Sequence, residues 1–316
     1  MRILVTGASG LLGANVALEA AAQGHTVFGV GNRSPLNTQD FNVLTTNLLD
    51  AGELDRVLEQ AQPDWVINCA ALANLEDCEK YPVLARRINS EFPGILAERC
   101  RKGGARWKPV RLLHVSTDAV FDGQKRNEET PYTETDEPNP LNVYAQSKLD
   151  GERAVVNAYP NALIARVNLF GFSPSGRRSL AEFFLYNLME GRPVKGFTDV
   201  FFCPMLVNDI AHIFFKMLAR GLSGLYHVFS TECLSKYNFG VRIANQFGLD
   251  AGWIAPVSVE VGGLAAARSP NLRMDVNKLS TDLGEVPPTF SPMLERFYTL
   301  YQEGYPQKVK SLLQNG

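Results

Sequence analysis

The chain reads as an α/β protein, a doubly wound parallel sheet with a smaller C-terminal α/β lobe. Three observations predict this. Short apolar runs recur at 2–6, 26–30, 42–46, 64–68, 110–115 and 162–168, each passing by a short connection into a helix-period stretch. A glycine-rich turn, Gly7-Ala8-Ser9-Gly10-Leu11-Leu12-Gly13, closes the first run directly. No repeat with a period of roughly 20–50 residues is visible, which argues against a solenoid.

Bulk properties narrow the function classes. The 316 residues carry 45% hydrophobic and 20% charged side chains with a formal net charge of -2, so there is no electrostatic footprint for nucleic acid. The basic residues of Arg99-Cys100-Arg101-Lys102 fall in a helical pattern and read as a solvated face. Five scattered cysteines without a Cys-x-x-Cys pair argue against a disulfide scaffold and a zinc site, and fit a reducing cytosol. The four histidines lack metal-ligand spacing, so no metal site is expected. The first residues enter a strand at once, and no apolar run reaches the roughly 18 residues of a membrane span. The expectation is a cytoplasmic protein without a membrane segment.

Each element then has its own reason. Arg2–Thr6 is the first strand, and the glycines after it let the backbone turn tightly against a pyrophosphate at the start of a helix running to Gln23. The spacing is G-x-x-G-x-x-G, and the absence of Gly-Lys-[Ser/Thr] excludes a P-loop. This is the dinucleotide-binding, Rossmann arrangement, although a glycine turn without a ligand has the same pattern. The second strand, Thr26–Val30, ends in Gly31-Asn32-Arg33-Ser34, where no acid is present for the ribose hydroxyls that NAD favours. Arg33 there suits a 2′-phosphate, pointing to NADP(H) with NAD(H) as the alternative.

Small residues at the end of the fourth strand, Asn68-Cys69-Ala70-Ala71, suit a ligand passing close to the backbone or simply tight packing. A helical region from about 76 to 102 is expected to break near Pro82 and near Pro93-Gly94. The fifth strand delivers Ser116-Thr117-Asp118, whose hydroxyls either bond a substrate carbonyl or cap the next turn. A long polar loop runs to Asn139, and such loops inside compact domains usually carry function.

Asn142 is a candidate N-cap for a helix that begins with Tyr144-Ala145-Gln146-Ser147-Lys148. Residues four apart share a helix face, so the phenol and the ammonium project together. A neighbouring cation favours phenolate and is expected to draw the Tyr144 pKa down from about 10 towards neutrality. Such a group is a proton donor or acceptor for an oxygen.

The dinucleotide domain is expected to span 1–168, completed by about 200–230. Residues 169–199 and 231–316 form the smaller substrate lobe. No Gly/Ser-rich linker separates them, so the two are expected to pack intimately.

With these motifs the chain resembles the extended short-chain dehydrogenase/reductase family. The resembling stretches are the glycine turn, Asn68-Cys69-Ala70-Ala71, Ser116-Thr117-Asp118 and Tyr144 to Lys148. More narrowly it is similar to the dTDP-4-dehydrorhamnose reductase branch, through Ser116–Gly123, Pro140–Tyr144, Ser235-Lys236-Tyr237 and Arg268-Ser269-Pro270-Asn271. The resemblance implies NADPH-dependent reduction of the keto group of a nucleotide-activated sugar. It implies that Tyr144 protonates the carbonyl oxygen, that Lys148 lowers the tyrosine pKa and holds the nicotinamide ribose, and that Thr117 bonds the carbonyl. Gly7, Gly10, Leu11, Leu12 and Gly13 would hold the pyrophosphate, Asn47 and Leu48 flank adenine, and Ala70 and Ala71 pass beside the cofactor. Asn89 is a candidate relay partner of Lys148, or a structural helix asparagine. A homodimer through the helices near 85–102 and 142–158 is also implied.

One departure bears on the substrate. Where that branch carries Arg-Thr-Ser-Trp, this chain has Ala165-Arg166-Val167-Asn168, and Asn168-Leu169-Phe170-Gly171 is closer to the Asn-Val-Tyr-Gly of sugar-nucleotide epimerases and dehydratases. Asn168, Asp199 and Arg268 are the expected substrate contacts, and the sugar itself is left open. Two other readings stand beside reduction. One is an epimerase or dehydratase with tightly held NAD. The other is a catalytically idle NADP-binding regulatory subunit, like the accessory subunit of methionine adenosyltransferase.

Overall fold

The computed structural model describes residues 1–32, 36–104, 107–125, 130–261 and 269–313. The N-terminal half runs β1 (Arg2–Thr6), α1 (Leu11–Ala22), β2 (Thr26–Gly31), β3 (Asn42–Thr45), α2 (Glu53–Ala61) and β4 (Trp65–Asn68). Then come α3 (Leu75–Lys80), α4 (Pro82–Arg86), α5 (Phe92–Lys102), β5 (Arg111–Thr117), α6 (Val143–Ala158) and β6 (Leu163–Val167). They are followed by β7 (Leu169–Phe170), α7 (Leu180–Met189), β8 (Val194–Phe197), β9 (Phe201–Phe202), β10 (Met205–Leu206), α8 (Val207–Ala219) and β11 (Gly224–Val228). The C-terminal stretch adds β12 (Leu234–Ser235), α9 (Lys236–Gln246), β13 (Ile254–Val257), β14 (Asn271–Leu272), α10 (Asn277–Leu283), α11 (Phe290–Gln302) and α12 (Tyr305–Ser311).

Seven strands form one sheet in the order β3-β2-β1-β4-β5-β6-β11, and every pairing in it is parallel. Both faces are covered, as a parallel sheet requires. One apolar cluster joins α1 and α8 to the sheet and continues into the aromatic side chains Phe170, Phe239, Phe290 and Phe297. A second buries Leu54, Val57, Phe92, Leu96 and Val155, from α2, α5 and α6, against the opposite face. The chain runs outward from β1 to β3 and then crosses to β4, so a crevice opens at the carboxyl ends of β1 and β4. That switch point is where open α/β sheets bind ligands.

The helical region before β5 departs from expectation in an instructive way. The first break falls at Tyr81, whose backbone is non-helical. Near Pro93 there is no break; the helix widens into a π turn over Arg87–Glu91 and continues as α5. Proline has no N–H for the carbonyl four residues earlier, here that of Asn89, and its ring crowds that oxygen. The Asn89 carbonyl faces α6 instead, where a Cβ on Gly151 would lie only 2.1 Å from it. Glycine at 151 is therefore set by this close approach.

The cysteine expectation is corrected. Cys203 and Cys233 form a disulfide across a sequence separation of 30. The antiparallel pairing of Phe202 with Leu234 brings the two positions together, a contact no Cys spacing reveals. The other three cysteines are free thiols. The elements β8, β13 and α12, and the two-residue strands β7, β12 and β14, have no counterpart in the sequence pattern. Among the described residues no helix is long and apolar enough to cross a membrane.

Candidate active site

The glycine turn meets the sheet with little room to spare. Gly7 has φ +68°, and a Cβ there would lie 2.8 Å from the Ala70 backbone. On Gly13 a Cβ would lie 2.3 Å from the Gly7 carbonyl oxygen. Gly10 occupies the N-cap of α1 and offers no side chain to cap it. The first N–H groups of α1 thus remain for an anion at the positive end of the helix. These residues fit a dinucleotide pyrophosphate.

Two clefts meet beside this turn. One, of about 190 Å³, is lined by Gly7, Ser9, Gly31, Asn32, Asn47, Leu48, Ala70 and Ala71 among others. The second, of about 300 Å³, is lined by Gly10, Leu11, Leu12, Gly13, Ala71, Thr117, Asp118, Tyr144, Lys148, Asn168 and Arg178 among others. Ala71 borders both, so a cofactor-sized path runs from the end of β2 past the glycine turn to the Tyr144 side. Every proposed catalytic residue and most proposed cofactor residues face this path. Arg33 and Arg268 lie outside the described residues. Asp199 is placed elsewhere: its carboxylate accepts from Ser258 Oγ at 2.5 Å and from the Val259 N–H at 2.9 Å, and it does not line either cleft.

Local structure positions the pair on α6. Asn142 caps the helix, its Oδ1 accepting from the Ala145 N–H at 2.8 Å. Tyr144 is half-buried and Lys148 buried. The Lys148 Nζ donates to the Val115 carbonyl on β5 at 2.7 Å. Burial pulls the Lys148 ammonium down to about 8. The expectation for Tyr144 is corrected here: burial pushes its phenol up to about 12, Thr117 draws it back in part, and Asp118 and Cys78 raise it further. Lys148 is engaged with Val115, and its charge does not offset the burial. Tyr144 is accordingly a neutral phenol, the form that can give a proton.

Thr117 combines both roles the sequence left open. Its hydroxyl accepts from the Ala119 N–H at 3.2 Å, capping the short turn after β5, and donates to Asp118 Oδ1 at 3.1 Å. Asn168 follows β6, and the pairing of Thr117 with Val167 sets it beside Asp118. Asp118, absent from the sequence candidates, is buried in the cleft and pushed up to about 6 by that burial. A carboxyl group following a strand-end Thr, in a buried run, was the signal available for it. Asn89 is bonded away from Lys148: it accepts from the Leu72 N–H at 2.8 Å and donates to Ser147 Oγ at 3.0 Å. Beneath the crevice Thr6 donates to Asn68, which contacts His114 at 2.9 Å, linking β1, β4 and β5.

Among the described residues no group of three His, Cys, Asp or Glu side chains forms a metal site. The arrangement is a proton donor, a hydroxyl and a buried cation beside a dinucleotide-sized path. The sequence pattern of the RmlD substrate binding domain matches residues 1–303. The chain belongs to that family. This RmlD-family protein is 33% identical over 293 residues to a probable low-salt glycan biosynthesis reductase, Agl14, of Haloferax volcanii, covering 92% of this chain and 94% of that one. It is 32% identical to methionine adenosyltransferase 2 subunit beta of Danio rerio, over 88% of this chain and 84% of that one. A crystal structure of dTDP-4-dehydrorhamnose reductase from Bacillus anthracis in complex with NADP superposes with a TM-score of 0.78 at 26% identity, over 94% and 98% of the two chains.

Proposed function

We propose that this RmlD-family protein is an NADPH-dependent reductase of a nucleotide-activated keto-sugar of the dTDP-4-keto-6-deoxy type. The observation that carries the reading is the convergence of Thr117, Tyr144 and Lys148 in the cleft that begins at the Gly10 turn. Bound NADPH supplies hydride to the carbonyl carbon. Tyr144, a neutral phenol, gives its proton to the carbonyl oxygen, and C=O becomes CH–OH. Thr117 turns its hydroxyl from Asp118 towards that oxygen, and Lys148 holds the nicotinamide ribose. Gly7, Gly10, Leu11, Leu12 and Gly13 take the pyrophosphate, Asn47, Leu48, Ala70 and Ala71 flank the cofactor, and Arg33 takes a 2′-phosphate. Asn168 and Arg268 contact the sugar nucleotide; Asp199, tied to Ser258, would need to exchange partners to do so.

The relatives support this reading: one carries the name reductase, and the crystal structure is a named reductase with NADP. A homodimer and a cytoplasmic location belong to the same proposal, although the Cys203–Cys233 disulfide no longer supports the location. The dimer faces would be α5 and α6, where Ile95 and Val156 stand 51% and 47% exposed. Purified protein should oxidise NADPH when given a dTDP-4-keto-6-deoxy sugar. Failure with every keto-sugar nucleotide, together with a partner protein that co-purifies, would favour an idle binding subunit. NAD retained through gel filtration would favour an epimerase.

A further inference from the structure

Behind the catalytic residues lies a buried pair that the reduction as described does not use. Glu152 stands one helical turn beyond Lys148 on α6 and is 5% exposed; Arg166 on β6 is 2% exposed. The Arg166 Nε donates to Glu152 Oε1 at 2.9 Å and Nη2 donates to Oε2 at 2.7 Å, a bidentate pair. Ser116 on β5 donates its hydroxyl to the same Oε1. The guanidinium also lies over the Phe121 ring, 4.9 Å from its centre. Buried pairs of this kind are weak stabilisers, because desolvation offsets most of their attraction. Stability alone therefore does not account for one placed here.

Its neighbours do account for it. Ser116 precedes Thr117, Arg166 stands two residues before Asn168, and Glu152 shares a helix face with Lys148 and Tyr144. We infer that Glu152 is a positioning residue for the reduction: one carboxylate ties together the three elements that present Thr117, Asn168 and the Tyr144/Lys148 pair, and serves as the buried counter-charge of Lys148.

The charges around Lys148 support this. On its own helix it feels Glu152 and shares a face with Tyr144, at the end of β4 it feels Cys69, and on β5 it feels His114. Burial pushes the Cys69 thiol up to about 12 and holds His114 well below its usual range, so both are neutral. The Tyr144 phenol is neutral as well. Glu152 is the anion left to face Lys148, and it works against the burial that pulls the ammonium down. Arg166 holds that anion in place and competes for its charge.

The consequence for catalysis rests on the reductase reading, but the readout need not. NADPH affinity, followed by fluorescence from pH 6 to 10, reports the charge state of the residue that holds the nicotinamide ribose. In the double variant Glu152→Gln/Arg166→Gln the pair is neutral, and the alkaline loss of affinity moves down by about one pH unit. In the single variant Arg166→Gln, Glu152 faces Lys148 alone and the loss moves up. A folded double variant whose curve superimposes on that of the unmodified protein overturns the inference. If the double variant does not fold, an unmoved or lowered curve in Arg166→Gln overturns it equally. Absence of keto-sugar reduction in the unmodified protein would sink the reductase reading and leave these curves to decide the role of Glu152.

Discussion

Asn168 Nδ2 donates to Asp118 Oδ2 across 2.7 Å, joining the ends of β6 and β5 at the floor of the cleft. The contact holds a carboxyl group whose burial raises it from an ordinary 3.8 to about 6. A raised folded-state value means the folded chain binds the proton more tightly than the unfolded chain. The stabilisation is complete below pH 4 and is lost as pH rises through 6, amounting to about 3 kcal/mol at most. Denaturant unfolding of the parent and of Asp118→Asn at pH 4, 5, 6 and 7 separates this contribution from carboxylates such as Glu19 and Asp136, whose lowered values act in the opposite sense. The parent should lose stability relative to the variant as pH rises through 6; a difference that stays constant with pH would contradict the raised Asp118 value.

Gly151 tests the contact between the π turn and α6. A Cβ 2.1 Å from the Asn89 carbonyl has no room, and that atom is backbone. Gly151→Ala should cost about 1–3 kcal/mol of stability, in the range of overpacked cores. Because α6 carries Tyr144 and Lys148, turnover and NADPH affinity should fall as well. A variant as stable and as active as the parent would show that the approach is looser than described.

The disulfide makes a separate prediction. Closing a loop with a sequence separation of 30 restricts the unfolded chain by about 3–4 kcal/mol on the chain-entropy account. A reductant should lower the unfolding midpoint of the oxidised protein and leave Cys203→Ala/Cys233→Ala unmoved. Equal midpoints for parent and variant, with and without reductant, would show that the bond contributes nothing.

What the sequence made legible was local. The glycine turn, the Asn142 cap and the four-residue spacing of Tyr144 and Lys148 are patterns within one element or one turn, and the parallel sheet follows from their alternation. The partners that decide the chemistry are distant in the chain: Asp118 and Asn168, Glu152 and Arg166, Cys203 and Cys233 meet only through strand pairing and helix packing. The direction of the Tyr144 shift was misread for the same reason. Spacing shows that a cation is near, whereas burial depends on everything packed around the phenol. The strands β8 (Val-Lys-Gly-Phe) and β13 (Ile-Ala-Pro-Val) carry a glycine or a proline and exposed positions where the sheet strands carry continuous apolar runs, so no strand signal registers.

Tyr144→Phe tests the central claim most directly, because it removes one hydroxyl and keeps the ring. The measurement is NADPH oxidation with a dTDP-4-keto-6-deoxy sugar, alongside NADPH affinity in the same preparation. The account predicts turnover lowered by about 10²–10⁴-fold with affinity nearly unchanged. Turnover within a few-fold of the parent would contradict it, since the proton would then come from a group other than Tyr144.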